Sequence, residues 1–150
     1  MQKVLMVCLG NICRSPVAEG VFRSLAEAQR KSVIVDSAGT ASFHIGEHPD
    51  PRSIVNALSH DISIGQLRGR QFQLEDFENF DVIYVMDQSN LKNVLALAQS
   101  TAHRSKVFLL TEAAGLIEKE VPDPYYGTVS DFEKTFDIIH RACSKLVNKL

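Results

Sequence analysis

Four short apolar runs divide the chain into segments, and none of them alternates polar with apolar residues. They cover Val4–Val7, Val33–Val35, Val82–Met86 and Val107–Leu110. The runs are continuous and rich in β-branched side chains, which is typical of strands covered on both faces. The pattern therefore predicts four strands buried in the centre of the molecule.

Apolar residues at helical spacing lie between and after these runs. The three stripes are Val17, Val21, Phe22 and Leu25; Leu91, Val94, Leu95 and Ala98; and Phe132, Phe136, Ile139, Cys143, Leu146 and Leu150. Ser15-Pro16 and Asp50-Pro51 each offer a capping side chain before a proline, which predicts two helix starts. Strands alternating with helices predict an α/β fold, in which helices flank both faces of a twisted parallel sheet.

Composition narrows the class of protein without identifying it. A chain of 150 residues with 45% hydrophobic and 23% charged residues predicts one domain, over residues 1–150, with a substantial core. The net charge of −2 gives no general attraction to nucleic acid or to anionic membranes. No apolar run approaches the roughly 18 residues of a membrane span, and the N-terminus lacks the pattern of a secretory signal. Three cysteines are too few for a disulfide scaffold, so we expect a cytoplasmic protein.

The segment Cys8–Pro16, of sequence CLGNICRSP, connects the first predicted strand to the first predicted helix. Backbone N–H groups in such a loop, at the positive end of a helix dipole, bind anions. Gly10 and Asn11 tolerate the positive φ that such loops require, and Arg14 adds a planar fork for two phosphate oxygens. The same positive surroundings favour the thiolate form of Cys8 and make it a nucleophile.

Two further features of this loop bear on its chemistry. Ser15 is placed to hydrogen-bond the Cys8 thiolate, and the loop lacks the lysine of a Walker-type nucleotide cradle. The alternative is that Cys8 is a small buried side chain and Arg14 a surface residue. Because the loop follows a strand and opens a helix, the catalytic interpretation is favoured.

Attack on a phosphate ester also requires an acid for the leaving oxygen. Asp123, held between Pro122 and Pro124, is the best candidate, although Asp-Pro is also a common turn. Tyr125 and Tyr126 follow it, and they either wall an aromatic leaving group or cover the edge of the core.

These residues together resemble the low-molecular-weight protein tyrosine phosphatases. The resemblance rests on the Cys8–Pro16 loop and on the DPYYG segment that begins at Asp123. It extends nearly end to end, because further family landmarks follow in the family's order. They are Asp36–Thr40, Pro49–Arg52, Arg70-Gln71 and Met86–Asn90.

The resemblance implies a four-stranded parallel sheet with a phosphate-binding loop between strand 1 and helix 1. It also implies hydrolysis of protein phosphotyrosine and small aryl phosphates through a cysteinyl-phosphate, with no metal or cofactor. Carried over by position, Cys8 is the nucleophile, Arg14 holds the phosphoryl oxygens and Asp123 is the acid and then the base. Supporting residues are Leu9, Gly10, Asn11, Ile12, Cys13, Ser15 and Ser37; Leu9 and Ile12 also line the substrate slot, with Phe43, Tyr125 and Tyr126.

The resemblance also carries expectations about partners and regulation. The partners are phosphotyrosine-containing proteins, with neither nucleic acid nor membrane, and the chain is a monomer or self-associates weakly. Cys13 is expected to form a reversible disulfide with Cys8, the alternative being a small packing residue. Leu67 stands where many relatives have a histidine that supports the loop, and Phe43 where relatives often have Trp or Tyr.

Two other functions compete with the phosphatase. An arsenate reductase on the same scaffold relays oxidation to further cysteines, but Asp81–Asn90 contains none and Cys143 falls on a helix stripe. An inactive phosphotyrosine-binding module would have lost Cys8, Arg14 or Asp123, and all three are present.

Overall fold

The computed structural model describes all 150 residues and contains four strands and seven helices. In chain order they are β1 (Gln2–Cys8), α1 (Arg14–Ala28), β2 (Val33–Gly39), α2 (Pro51–Ser59), α3 (Asp76–Asn79), β3 (Val82–Val85), α4 (Gln88–Leu97), α5 (Thr101–Arg104), β4 (Val107–Leu109), α6 (Leu110–Ala113) and α7 (Val129–Asn148). Each predicted apolar run forms a strand, although the fourth ends one residue early because Leu110 begins α6.

The four strands form one sheet in the order β2-β1-β3-β4, and every neighbouring pair is parallel. β1 lies in the interior of the sheet, where Cys8 pairs with Gly39 at the end of β2. The carboxyl ends of β1, β2 and β3 therefore meet at one edge. This is the edge where open α/β sheets place their binding sites.

Alternate residues of β1 point into two separate cores. Val4 and Met6 pack with α1 and α7 on one face of the sheet, whereas Leu5 and Val7 pack with residues of α3 and α4 on the other. Both faces are thus covered by helices, which explains why the strand residues are continuously apolar. The predicted fold class is confirmed.

The helix starts and ends depart from the sequence prediction at two places. α2 begins as predicted, because the Asp50 carboxylate accepts the Arg52 N–H at 2.8 Å and Pro51 is the first helical residue. The cap predicted at Ser15 is wrong: α1 begins at Arg14, and the Ser15 side chain is used inside the loop. α7 ends at Asn148, so Leu150 lies beyond the buried stripe and is 40% exposed.

The helices that the sequence did not predict are short. α3, α5 and α6 contain four residues each, which is a single turn and too little to show a hydrophobic period. Among all seven helices, none combines the length and the apolar character that crossing a membrane requires.

Candidate active site

The loop between β1 and α1 folds back over the carboxyl edge of the sheet. Of the two residues expected to tolerate positive φ, Asn11 adopts it, with φ 57°, and Gly10 does not. The end of β2 passes close beneath, so that a Cβ at Gly39 would lie 2.8 Å from the Leu9 carbonyl oxygen. Only glycine permits that approach, and it lets the Thr40 N–H donate to the Cys8 carbonyl at 2.9 Å.

The Cys8 sulfur sits at the base of this loop and is almost completely buried. Ser15 Oγ lies 3.0 Å from Cys8 Sγ, and the N–H groups of Asn11 and Ser15 donate to the sulfur at 3.3 and 3.5 Å. Three polar groups therefore converge on one sulfur, a set of donors suited to a sulfur that carries negative charge.

The Asn11 side chain holds the loop in this shape. Its amide donates to Ser15 Oγ at 2.8 Å and to Ser37 Oγ at 3.0 Å, while its Oδ1 accepts the Arg70 N–H at 3.0 Å. Asn11 is buried and makes contacts on three sides. The contact between Asn11 and Ser37, which the resemblance led us to expect, is present.

The Arg14 guanidinium is buried at the start of α1. Two hydrogen bonds and a nearby carboxylate hold it in place. Nη1 donates to Asp87 at 2.6 Å and to the Val121 carbonyl at 3.0 Å, and Nη2 lies 3.6 Å from Asp123 Oδ2. Burial alone would lower the pKa of Arg14, but the negative charges of Cys8, Asp87 and Asp123 outweigh it and raise that pKa. Arg14 is therefore a permanent cation held in one orientation.

Asp123 lies on an irregular segment that is anchored through the two residues before it. The Val121 N–H donates to the Met86 carbonyl at 2.7 Å, and Thr135 Oγ1 of α7 donates to the Pro122 carbonyl at 3.2 Å. The Asp123 carboxylate accepts the Tyr125 N–H at 3.1 Å and stays 42% exposed. A carboxylate in this position reaches both the cavity and the solvent.

These groups surround one open cavity of about 250 Å³. It is lined by Cys8, Leu9, Gly10, Ile12, Cys13, Arg14, Phe43, His44, Asp123, Tyr125 and Tyr126. The floor of the cavity is formed by the Cys8 sulfur and the Arg14 cation, and aromatic side chains lie nearer its mouth. That combination suits a phosphate carried on a flat ring.

Two of the three cysteines, Cys13 and Cys143, have a raised pKa. All three are free and buried. Burial, reinforced by the nearby Asp50 carboxylate and by Cys8, raises the pKa of Cys13 to about 12, and burial raises the pKa of Cys143 still further. Both of these thiols are therefore neutral at physiological pH, and neither is an activated nucleophile.

Comparison with known proteins identifies the family. Residues 3–150 match the sequence profile described as low molecular weight phosphotyrosine protein phosphatase. The protein of that name from Homo sapiens is 40% identical, over 99% of this chain and 95% of its own length. The one from Dictyostelium discoideum is 42% identical, over 93% of this chain and 88% of its own.

The chain belongs to the low molecular weight phosphotyrosine protein phosphatase family. It is therefore an enzyme of the protein-tyrosine phosphatase class. The fold agrees, since a protein tyrosine phosphatase from Entamoeba histolytica superposes with a TM-score of 0.94 at 36% identity, covering 99% of this chain and 96% of its own.

Every residue expected at the phosphatase site lies on or beside this cavity. Cys8, Arg14 and Asp123 share it with the predicted slot residues Phe43, Tyr125 and Tyr126. Tyr126 is 96% exposed and meets Tyr125 edge-on with ring centroids 4.9 Å apart, so it extends the mouth of the cavity outward. Ser15 and Ser37 lie behind the loop and contact Asn11.

Two carboxylates that hold residues of the cavity or its loop were missed by the sequence analysis. Asp87 follows β3, caps α4 through the Asn90 N–H and holds Arg14. Glu19 is buried on α1 and accepts from Ser37 Oγ at 2.7 Å and from Arg23 at 2.5 Å. An Asp directly after a predicted strand was the available signal for Asp87. The i,i+4 pair of Glu19 with Arg23 was the signal for Glu19.

Arg70 and Leu67 adjoin the phosphatase loop without lining the cavity. Arg70 is tied to Asp36 and Asp76, each at 3.0 Å, and its backbone N–H reaches Asn11, so it supports the loop. Leu67 packs against the main core. Glu19 accepts a hydrogen bond from Ser37, and the Arg70 N–H donates to Asn11. The side chains of Ser37 and Asn11 therefore have hydrogen-bond partners without a histidine at position 67.

Proposed function

We propose that the chain hydrolyses phosphotyrosine in proteins, and small aryl phosphates, through a phosphoryl group carried on Cys8. The observation that carries the proposal is the shared cavity of Cys8, Arg14 and Asp123. In it Arg14 lies 3.6 Å from Asp123 and three polar groups converge on the sulfur. A nucleophile, an anion-binding cation and an acid then surround one phosphate position.

In the first step the Cys8 thiolate attacks phosphorus. The S–P bond forms, the bond from phosphorus to the phenolic oxygen breaks, and the protonated Asp123 carboxyl gives its proton to that oxygen. The inward N–H groups of the loop and the Arg14 fork hold the phosphoryl oxygens as charge redistributes over them. Ser15 Oγ, 3.0 Å from the sulfur, stabilises the thiolate.

In the second step water replaces the sulfur. The Asp123 carboxylate takes a proton from the water as its oxygen attacks phosphorus, and the S–P bond breaks. The products are inorganic phosphate and the Cys8 thiolate, so the enzyme returns to its starting state with Asp123 protonated. No step needs a metal or cofactor.

The aromatic walls support a phosphotyrosine substrate. Phe43 and Tyr125 line the cavity above the loop with Leu9 and Ile12, which suits a phenyl ring better than a small aliphatic group. We propose phosphotyrosine-containing proteins as the substrates and one catalytic domain over residues 1–150. We further propose that the protein is a monomer or self-associates weakly, and that it binds no nucleic acid.

We also propose that Cys13 is the redox partner of Cys8. Both thiols are free, and both line the same cavity. An oxidant that converts Cys8 to a sulfenic acid allows the Cys13 sulfur to displace water and form a disulfide, which protects Cys8 from further oxidation. The raised pKa of Cys13 slows that closure, because the attacking species is the thiolate.

Hydrolysis of p-nitrophenyl phosphate under reducing conditions with EDTA tests the proposed function. We expect turnover unaffected by EDTA, abolished by vanadate and highest at acid pH, because the mechanism requires an ionised nucleophile together with a protonated acid. The pH profile is measured from acid to mildly alkaline conditions. Turnover that EDTA removes, or an optimum above about pH 8, would contradict the mechanism.

A further inference from the structure

The Arg52 side chain bridges the segment that carries Asp123 and the start of α7. Its guanidinium carbon lies 5.4 Å from the centre of the Tyr125 ring and 4.6 Å from the centre of the Phe132 ring. A planar cation is attracted to both ring faces at these distances. Arg52 therefore holds the Tyr125 ring, which walls the cavity, to the buried Phe132 ring.

The direction of the Arg52 side chain is set by Asp50. Arg52 Nε and Nη2 donate to the two Asp50 carboxylate oxygens at 3.1 and 2.9 Å. The hydrogen bonds from Arg52 lower the pKa of Asp50, so the carboxylate stays ionised through the acid range in which the enzyme is expected to work. A bidentate pair of this kind fixes the guanidinium plane as well as its position.

The Asp50–Arg52 pair is anchored to the phosphate-binding loop. The Asp50 N–H donates to the Ile12 carbonyl at 2.8 Å, and Phe132 packs with Ile12 and Cys13 in a small buried cluster. The loop under the phosphate is thus connected through Arg52 to Tyr125. Tyr125 in turn donates its backbone N–H to the Asp123 carboxylate at 3.1 Å.

We propose that Arg52 is a positioning residue, which holds the Tyr125 ring and thereby orients the Asp123 carboxyl toward the leaving oxygen. The inference rests on the proposed function and adds to it a residue outside the cavity. Arg52 does not bind the phosphate, because it does not line the cavity and Asp50 already occupies its fork. Replacing Arg52 should therefore impair proton transfer from Asp123 and loosen the Tyr125 wall of the cavity.

The test compares Arg52→Met and Arg52→Lys with the wild type on two substrates. Phenyl phosphate releases a weakly acidic phenol and depends strongly on Asp123, whereas p-nitrophenyl phosphate releases a much more acidic one. We expect Arg52→Met to lower kcat/KM for phenyl phosphate, which reports the first step, about tenfold, since small misplacements of a catalytic group have effects of that order or greater. The kcat/KM for p-nitrophenyl phosphate should fall by less than about twofold.

Two further variants separate orientation from general damage. Asp50→Asn keeps a good helix cap but removes the charge that directs Arg52, so it should reproduce part of the selective loss. Arg52→Lys keeps the charge without the planar fork and should fall between the wild type and Arg52→Met. Arg68→Met is the matched control, because Arg68 is exposed and bonds only to the carbonyls of Gly65 and Leu67.

The inhibition constant of inorganic phosphate decides between the remaining outcomes. It should stay unchanged in Arg52→Met, since the loop and Arg14 bind the oxyanion. Equal losses on both substrates with weaker phosphate inhibition would overturn the assignment and make Arg52 a support of the loop. Unchanged kinetics in Arg52→Met would also overturn it. A wild-type protein that turns over neither substrate would overturn the proposed function itself, a failure distinct from these two.

Discussion

Replacing Cys8 with Ser is expected to lower kcat for p-nitrophenyl phosphate by at least about 10⁴-fold, the scale seen when a catalytic nucleophile is removed. A serine hydroxyl stays protonated at the acid pH at which the Cys8 thiolate attacks, and nothing in the cavity is placed to take its proton. The groups that bind the oxyanion remain, namely the loop N–H groups and Arg14. Phosphate affinity should therefore change by less than about threefold.

The matched control is Cys13→Ser, which changes the other cysteine of the cavity. Cys13 is the N-cap residue of α1 without a capping side-chain bond, and serine is a favoured residue there. We expect Cys13→Ser to keep kcat within about fivefold, because a thiol whose pKa is raised to about 12 is not the nucleophile. Steady-state kinetics with phosphate binding by calorimetry measures both variants. Substantial turnover in Cys8→Ser would show that the nucleophile is misassigned.

Replacing Asp123 with Asn is expected to lower kcat/KM for phenyl phosphate, which reports the first step, by about 10³-fold, within the range for loss of a general acid. The amide keeps the shape of the side chain and still accepts the Tyr125 N–H, so the segment stays in place. What it cannot do is donate a proton and later take one back. The loss of kcat/KM for p-nitrophenyl phosphate should be smaller by about tenfold or more, because its phenolate leaves more readily without a proton in the first step.

The pH profile supplies a second measurement for this variant. The first step requires a proton on the acid, so the alkaline decrease of kcat/KM should disappear in Asp123→Asn. Asp131→Asn is a suitable control, because Asp131 caps α7 through Thr128 and lies outside the cavity. An equal loss on both substrates, with the alkaline decrease retained, would indicate that Asp123 is structural and that another group is the acid.

The sequence predicts the sheet of this protein well, for a physical reason. β1 and β3 are buried on both faces, so their apolar runs are continuous and conspicuous. α1 and α7 are long enough to repeat their stripes several times, and they were predicted for that reason. The four-residue helices have no such repeat, and the cap at Ser15 was wrong because the hydroxyl serves the Cys8 sulfur instead.

The phosphate-binding loop was the part of the site that the residues alone predicted most directly, whereas Ser37 and Phe43 were expected only because of the resemblance. The loop from Cys8 to Ser15 brings the proposed nucleophile, the N–H groups proposed to bind the phosphate and the Ser15 hydroxyl together within eight consecutive residues, so the proposed chemistry could be inferred from a short stretch of sequence. Asp87 reaches Arg14 across 73 positions. The role of Arg52 depends on where α7 places Phe132. Such contacts arise from the packing of separate elements. A local pattern can mark one partner, as the position after β3 marks Asp87, but it does not show which distant residue that partner meets.

Trapping the phosphoryl group on Cys8 tests the proposed mechanism most directly. The protein is mixed with p-nitrophenyl phosphate near its optimum pH, quenched in acid within milliseconds and mapped by mass spectrometry. The account predicts one phosphoryl group on the peptide that contains Cys8 and none in the Cys8→Ser protein. Continued turnover with the phosphoryl group on another residue, or with no phosphorylated enzyme at any time, would contradict it.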